Sequence, residues 1–352
     1  MINTYASLHG HSEYSSAVLR FPDAIGHVSD YVKWCYENGL YGYAVSDHQS
    51  VAGYVDLEQA IDEIKPEHKF VHIFANEFYL ISKEENDLIN SETERPTYWH
   101  FMVYVKDRIG LKQMYELSSR AWLRSYTYRG LLRRPSFYDD FEEVVGNDRG
   151  HLLCSSGCLG GRLPKYILNN DNQGALKFID WCQSTFGKEN FYLECQPCHG
   201  DNAEQIKVNK TLWQLHTRFN IPIIVTTDSH YMRPEDKLTH TTFLLSKDGG
   251  DGREPDKFYA TTYLFTPNEL RDMLHVCFDD DQIDVLFQTT IDIADRIESI
   301  RLQHKTKVPA LPEIPKHQVK HYYKEYYDKY PHIKYYANSS NNHETYYYSE
   351  VE

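Results

Sequence analysis

Along the first 230 residues, short apolar runs alternate with polar stretches, and most of these lead into segments of helical period. The apolar runs are Thr4–His9, Tyr41–Ser46, Val71–Ile81, His100–Val105, His151–Ser155, Phe191–Cys195 and Ile221–Thr226, and they predict seven strands. The spacing between them predicts helices over Asp23–Asn38, Val51–Ile64, Ile109–Leu123, Ala175–Phe186 and Glu204–Phe219. Strands alternating with helices predict an α/β chain of βα units and a mostly parallel sheet. Seven such units in this length suit a closed or nearly closed barrel better than an open sheet.

The pattern then changes. Residues 246–258 are rich in Gly, Asp and Lys and read as a loop. Helices are predicted at Pro267–Leu274 and Gln282–Glu298. Val308–Pro315 carries three prolines and reads as an extended linker. Residues 316–352 hold 10 of the 29 tyrosines without an apolar period. That composition predicts a disordered or loosely docked tail, with a Tyr-rich docking segment for a partner or for nucleobases as the alternative. The expected organisation is a barrel over 1–245, a small C-terminal extension over 246–310 and a Tyr-rich linker and tail over 311–352.

Composition narrows the class. No apolar run approaches the roughly 18 residues that span a bilayer. The N-terminus lacks the basic and apolar regions of a secretory signal, so a cytoplasmic protein is expected. Seven cysteines in 352 residues do not make a disulfide scaffold, and free or metal-bound thiols are expected. The net charge of −14 argues against a non-specific DNA clamp but leaves room for a local nucleic-acid site charged by metal ions.

The chemistry lies in where His, Asp, Glu and Cys fall. His9 and His11 end the first run, two residues apart, so both imidazoles can face one site. Asp47 and His48 end the second, and Glu77 lies within the third. Cys158 follows the fifth, His199 the sixth, and Asp228 and His230 the seventh. In a βα-barrel these strand ends surround the mouth of the active site. His100 departs from the pattern because it opens its run. Each residue alone has a plainer explanation. A His-x-His is more often a surface or core pair, Asp47 could cap a helix, and Cys158 could be a small buried apolar group. Together they are the ligand types for Zn²⁺ and related divalent ions, and their convergence predicts metal binding. Cys195-Gln-Pro-Cys198-His199 matches the C-x-x-C-H haem pattern, but covalent haem attachment belongs to exported proteins. A zinc knuckle joining this pair to Cys154 and Cys158 is poorly spaced.

These residues resemble a known family. LHGHSEYS at 8–15, AVSDHQSVAG at 44–53, ANEFYL at 75–80, HFMVYVKDRIGLKQMYELSSRAW at 100–122, CSSGCLGGRLP at 154–164 and TTDSHYMRPED at 226–236 are similar to the PHP (polymerase and histidinol phosphatase) domain. The version is the one that opens bacterial DNA polymerase III alpha subunits, and the resemblance covers roughly residues 3–310. It implies a distorted, TIM-barrel-like barrel of seven strands. It also implies up to three divalent metal ions (Zn, Mn or Fe) on His9, His11, Asp23, His48, Glu77, His100, Cys158, Asp228 and His230. Asp23 fits if two residues are inserted after Ser16; its alternative is a helix cap before Ala24.

The resemblance further implies a metal-dependent phosphoesterase, a 3′→5′ exonuclease or phosphatase working in DNA replication on a DNA 3′ end. Asp47, His48 and His230 are its expected catalytic groups, with Asp47 orienting an imidazole. Arg162 and His199 are the expected phosphate contacts. The catalytic aspartates of a polymerase palm are not found, so this chain alone is not expected to polymerise DNA. Two further readings stay open. One is the N-terminal part of a split polymerase that joins a second polypeptide or another replisome protein. The other is a non-catalytic module stabilised by its metals.

Overall fold

Strand alternation explains the architecture best in Val71–Ile81, where all residues but the first are buried. Phe74, Phe78 and Leu80 enter the large core between sheet and helices. Ile73 and Ala75, of opposite parity, enter a smaller core with Ala6, Leu8, Ala44, Met102, Tyr104, Leu153, Tyr192 and Ile224, drawn from every barrel strand or its edge. A strand buried on both faces belongs to the wall of a barrel covered by helices.

The computed structural model describes residues 1–19, 23–90, 98–128, 131–246 and 259–302. The barrel strands are β1 (Ala6–Ser7), β2 (Gly42–Val45), β3 (Val71–Ile81), β4 (Trp99–Val105), β5 (Leu152–Ser155), β6 (Phe191–Cys195) and β7 (Ile223–Val225). They lie side by side in chain order. The sheet curls until its edges meet at one bridge, Gly10 to Ser229, where His11 N donates to Ser229 O at 2.8 Å. A two-residue strand, Ser136–Phe137, pairs in parallel with the end of β3 at Leu80 and Ile81, and Tyr126–Tyr128 pairs with Leu131–Arg133 as a separate hairpin.

The expectation of a mostly parallel sheet needs one correction. β4 runs antiparallel to both β3 and β5, while the other neighbouring pairs are parallel. This reversal brings the start of β4, with His100, to the end of the barrel where the other strands finish. β1 is also shorter than Thr4–His9, because the chain leaves the sheet at Leu8 and bridges to Ser229. The helix expected at Asp23 begins at Val28 behind His27, so Asp23 caps no helix.

The part of the expected extension that is described, residues 259–302, shares the barrel's core through Phe265, Leu270, Leu286 and Phe287. Helix Asp280–Arg296 crosses the end opposite the strand ends, with Ile293 and Ala294 in the inner core and Thr290 Oγ1 accepting from Ala6 N at 2.9 Å. The following residues tie to the same end: Glu298 N donates to Lys106 O, and His72 Nε2 to Ile300 O. Residues 1–302 are one compact unit. The linker Val308–Pro315 and the Tyr-rich tail lie outside the described residues.

Candidate metal centre

The inward row of each strand changes from apolar to polar in one direction. Ala44 gives way to Ser46 on β2, and Ile73 and Ala75 to Glu77 on β3. Tyr104 and Met102 give way to His100 on the reversed β4. Leu153 precedes Ser155, Tyr192 precedes Glu194, and Ile224 precedes Thr226 and Asp228. The apolar layer fills the barrel; the polar ends converge above it.

Glu77 stands at the middle of that convergence and is fully buried. Its Oε1 lies 3.0 Å from His100 Nδ1, 3.3 Å from His9 Nε2 and 3.8 Å from Cys158 Sγ. Its Oε2 lies 2.8 Å from His48 Nδ1 and 3.4 Å from His11 Nε2. Asp228 Oδ1 lies 3.3 Å from His9 Nε2 and 3.2 Å from His11 Nε2. Asp23 Oδ2 lies 3.3 Å from His48 Nε2 and 3.6 Å from His230 Nε2. All nine expected ligands are therefore brought together.

They form three overlapping sets whose donor atoms could each surround one ion: His11, Asp23, His48 and His230; His9, His11 and Asp228; and His48, Glu77 and His100. Cys158 adjoins the third set, with Sγ 3.5 Å from His100 Nδ1. The donors fit divalent cations, because Asp23 Oδ2, His48 Nδ1, Glu77 Oε2 and Asp228 Oδ1 are buried and meet one another across the centre without a well-aligned hydrogen bond. Asp228 also holds a left-handed φ of 48°, a strained conformation for a non-glycine residue that recurs at functional sites.

The electrostatics agree. Burial alone would push His48 down, but Asp23 and Glu77 outweigh it and raise it to about 10. Burial is likewise outweighed at His9, which Asp228, Glu194 and Glu77 hold well above its ordinary value. Burial opposes ionisation of Glu77, yet His100, His9 and His48 keep that carboxyl well below the usual range. His230 falls to about 4, chiefly through burial. Burial and the nearby carboxylates push the Cys158 thiol well up. His9, His48 and the carboxylates thus hold each other charged while His230 stays neutral, and bound cations would take over the counter-charge of the imidazolium groups.

The other expected site residues sit farther out. Among the described residues Asp47 meets no imidazole directly: its Oδ1 accepts from Ser15 Oγ at 2.8 Å, and Ser15 Oγ lies 3.0 Å from His11 Nδ1. Arg162 donates to Glu85 Oε1 at 2.5 Å and stacks over Trp99 at 4.8 Å, so its guanidinium is already engaged. His199 is exposed and lines a cavity of about 730 Å³ that also touches Cys158, Thr227 and Asp228. Lys237, Gln196, Asn202 and Thr262 share its wall. The seven cysteines form no disulfide, and Cys154, Cys195 and Cys198 belong to none of the ligand sets among the described residues.

One buried carboxylate was not anticipated. Glu194 on β6 is 1% exposed and accepts from His9 Nδ1 at 2.7 Å. Its only sequence signal is an acid two positions after Tyr192, on the inward parity of the strand.

Known proteins resemble this chain in sequence. A DNA-directed DNA polymerase of Bacillus phage SPbeta is 31% identical over 96% of this chain and 27% of its own length. The DNA polymerase III subunit alpha of Thermus aquaticus is 28% identical over 77% of this chain and 21% of its own. That of Borreliella burgdorferi is 25% identical over 88% of this chain and 25% of its own. The chain thus spans about a quarter of the length of the curated relatives it matches. The PHP domain model matches residues 7–198, more than half of the sequence, and the chain belongs to the PHP domain family.

Proposed function

We propose that the centre is a metal-dependent phosphoesterase that removes nucleotides from the 3′ end of DNA during replication in the cytoplasm. The observation that carries this reading is the convergence of eight ligand side chains in three overlapping sets around the buried Glu77, with Cys158 as a ninth beside them. His9, His11, Asp228, Asp23, His48, His230, Glu77, His100 and Cys158 would hold up to three divalent ions, with Zn, Mn and Fe all compatible with this mixture of imidazole, carboxylate and thiol. Such ions, when bound, supply a hydroxide nucleophile at neutral pH and offset charge on the phosphate oxygens.

The chain's own groups do the rest. His48 and His230 flank the Asp23 carboxylate, and whichever imidazole holds no ion hands a proton to the leaving oxygen. Asp47 fixes His11 through the Ser15 hydroxyl. His199 and Lys237, on the wall of the 730 Å³ cavity beside Cys158 and Asp228, are placed to meet phosphate. That volume accepts a nucleotide as well as a small phosphate ester.

The test joins elemental analysis of the purified protein to hydrolysis of a 5′-labelled single-stranded oligonucleotide and a simple phosphate monoester, with His11→Ala as control. Metal-dependent shortening from the 3′ end that is lost in His11→Ala supports the reading. Bound metal without hydrolysis of either substrate overturns it. That outcome favours a second reading, suggested by the polymerases that align with 96% of this chain: a metal-stabilised module that works with polymerase or replisome partners.

A further inference from the structure

We propose that Glu194 is the positioning residue of the centre, holding His9 in the tautomer that binds metal; the inference rests on the metal reading above. Three donors from three parts of the barrel meet its carboxylate. His9 Nδ1 reaches Oε1 at 2.7 Å, Thr226 Oγ1 reaches the same oxygen at 2.6 Å, and Ser155 Oγ donates to Oε2. The Glu194 backbone N–H is fixed in turn by Ser156 Oγ at 3.0 Å.

An ionised carboxylate only accepts hydrogen bonds. With Glu194 as acceptor, a proton stays on His9 Nδ1, so Nε2 is the nitrogen that gives up its proton and offers a lone pair when an ion binds. That atom faces the centre: it lies 3.1 Å from His11 Nε2 and 3.3 Å from both Glu77 Oε1 and Asp228 Oδ1. His11 is oriented by a different device, since its Nδ1 meets the Ser15 hydroxyl, whose O–H donates a hydrogen bond to Asp47 Oδ1. His9 is the imidazole of the centre that leans directly on a carboxylate outside the ligand set. A direct carboxylate partner fixes the ring and raises its basicity as a ligand.

Stability alone does not explain this acid. Glu194 follows Phe191, Tyr192 and Leu193 in a fully buried strand, where an apolar side chain of similar volume would avoid the desolvation of a carboxylate. Its row continues the apolar layer of the barrel into the polar ring, and it is the acid directly beneath His9.

The test titrates Zn²⁺ or Mn²⁺ into the chelator-stripped 352-residue chain by competition with a coloured chelator. Wild type, Glu194→Gln, Thr226→Val, His9→Ala and the double variant Glu194→Gln/His9→Ala are compared. Circular dichroism establishes that each is folded. Glu194→Gln is expected to weaken one ion by about 10–100-fold, the usual effect of removing such a partner. The ion on His11, Asp23, His48 and His230 should be retained. Thr226→Val, which leaves the His9 contact intact, is expected to change affinity less than about 3-fold. In the His9→Ala background Glu194→Gln should add nothing, because the two substitutions remove one interaction. Unchanged affinity in Glu194→Gln, or an equal loss with and without His9, overturns the proposal while leaving the metal centre standing. A wild-type protein that binds no divalent ion overturns the metal reading and this inference together.

Discussion

Glu77 and His100 meet at 3.0 Å diagonally across a pair of antiparallel strands, Glu77 standing two residues along β3 from Tyr79, the register partner of His100. The same carboxylate touches His9, His11, His48 and Cys158, so it is shared among all the donors nearest the middle of the centre. Replacing it by Gln keeps the shape and removes the charge. Glu77→Gln is expected to lower the metal content by at least one ion per chain and to abolish hydrolysis. The metal-free variant is expected to melt lower than metal-free wild type, because His9, His48 and His100 lose their common counter-charge. Elemental analysis and thermal melts of the two proteins check this. Full metal content in the variant would remove Glu77 from the ligand set.

The reversal of β4 also shows what was legible from residue order. β3 was read end to end, because its β-rich run and inward Glu77 are local features. His48, Asp228 and His230 were legible because each follows a short apolar run. The direction of β4 was not: Trp-His-Phe-Met-Val-Tyr-Val has the same alternation in either sense, and the connection from Ile81 to Trp99 is long enough for both. His100 opening its run was the visible sign. Glu194 escaped because one acid within Phe-Tyr-Leu-Glu-Cys has no spacing partner. Its meaning arises only when closure of the barrel sets it beneath His9.

The metal-free protein should respond to pH in a direction set by His48. Its folded value of about 10 exceeds its ordinary 6.5, with Asp23 and Glu77 outweighing burial. A raised value contributes stability in full below 6.5 and loses it as pH climbs through 10. Chelated protein is therefore expected to lose melting temperature steadily from pH 7 to pH 10. Metal-loaded protein should not follow this decline, since ions then balance the carboxylates. Metal uptake should release protons and tighten as pH rises over the same window. Parallel melts with and without chelator, and proton release on metal addition at pH 7, measure both. A rise in stability of the chelated protein toward pH 10 would contradict the assignment.

Gly157 holds a φ of +76°, and a Cβ there would lie 2.6 Å from the His100 carbonyl oxygen. Backbone on both sides leaves little room to give. Gly157→Ala is expected to destabilise the fold by about 1–3 kcal/mol, the range for a strained backbone position. It should also displace Cys158 and His100 together, so the ion on that side weakens more than the ion near His230. Denaturant melts and metal titration check the two effects. Wild-type stability and metal affinity would show that the loop absorbs the methyl group.

His199 and Arg162 offer a contrast in the proposed phosphate contacts. His199 is exposed on the cavity wall, whereas Arg162 is tied to Glu85 and Trp99. His199→Ala is expected to raise KM about 10-fold with a smaller effect on kcat, as for a group that binds substrate and transition state alike. Arg162→Ala is expected to change KM less than about 2-fold and to lower the melting temperature. Steady-state kinetics with the hydrolysed substrate separate the cases. A large rise in KM for Arg162→Ala would put the phosphate against its guanidinium, with Glu85 giving way.

The metal centre needs chain beyond the barrel strands that carry its ligands. Helix Asp280–Arg296 closes the barrel end opposite the metal site, and Leu264, Phe265, Leu270, Leu274, Ile283, Leu286 and Phe287 are all buried in the shared core. Each such side chain contributes about 1.5–3 kcal/mol when buried, so the loss of all seven, about 10–20 kcal/mol, would be as large as the whole stability of an ordinary domain. Polar ties reinforce the closure. Arg271 reaches the Ile2 carbonyl at 2.9 Å and Asp284 at 2.5 Å, and the buried Glu58 carboxylate accepts from Leu302 N at 3.0 Å. A polypeptide of residues 1–302 is therefore expected to fold cooperatively and bind the same number of metal ions as the full chain. Residues 1–245 alone, although they carry all nine ligands, should be insoluble or lack a cooperative melt, because the barrel end is left open. Expression of both, followed by thermal melts and elemental analysis, decides it. A folded, metal-binding 1–245 would make residues 259–302 an accessory layer on an independent barrel.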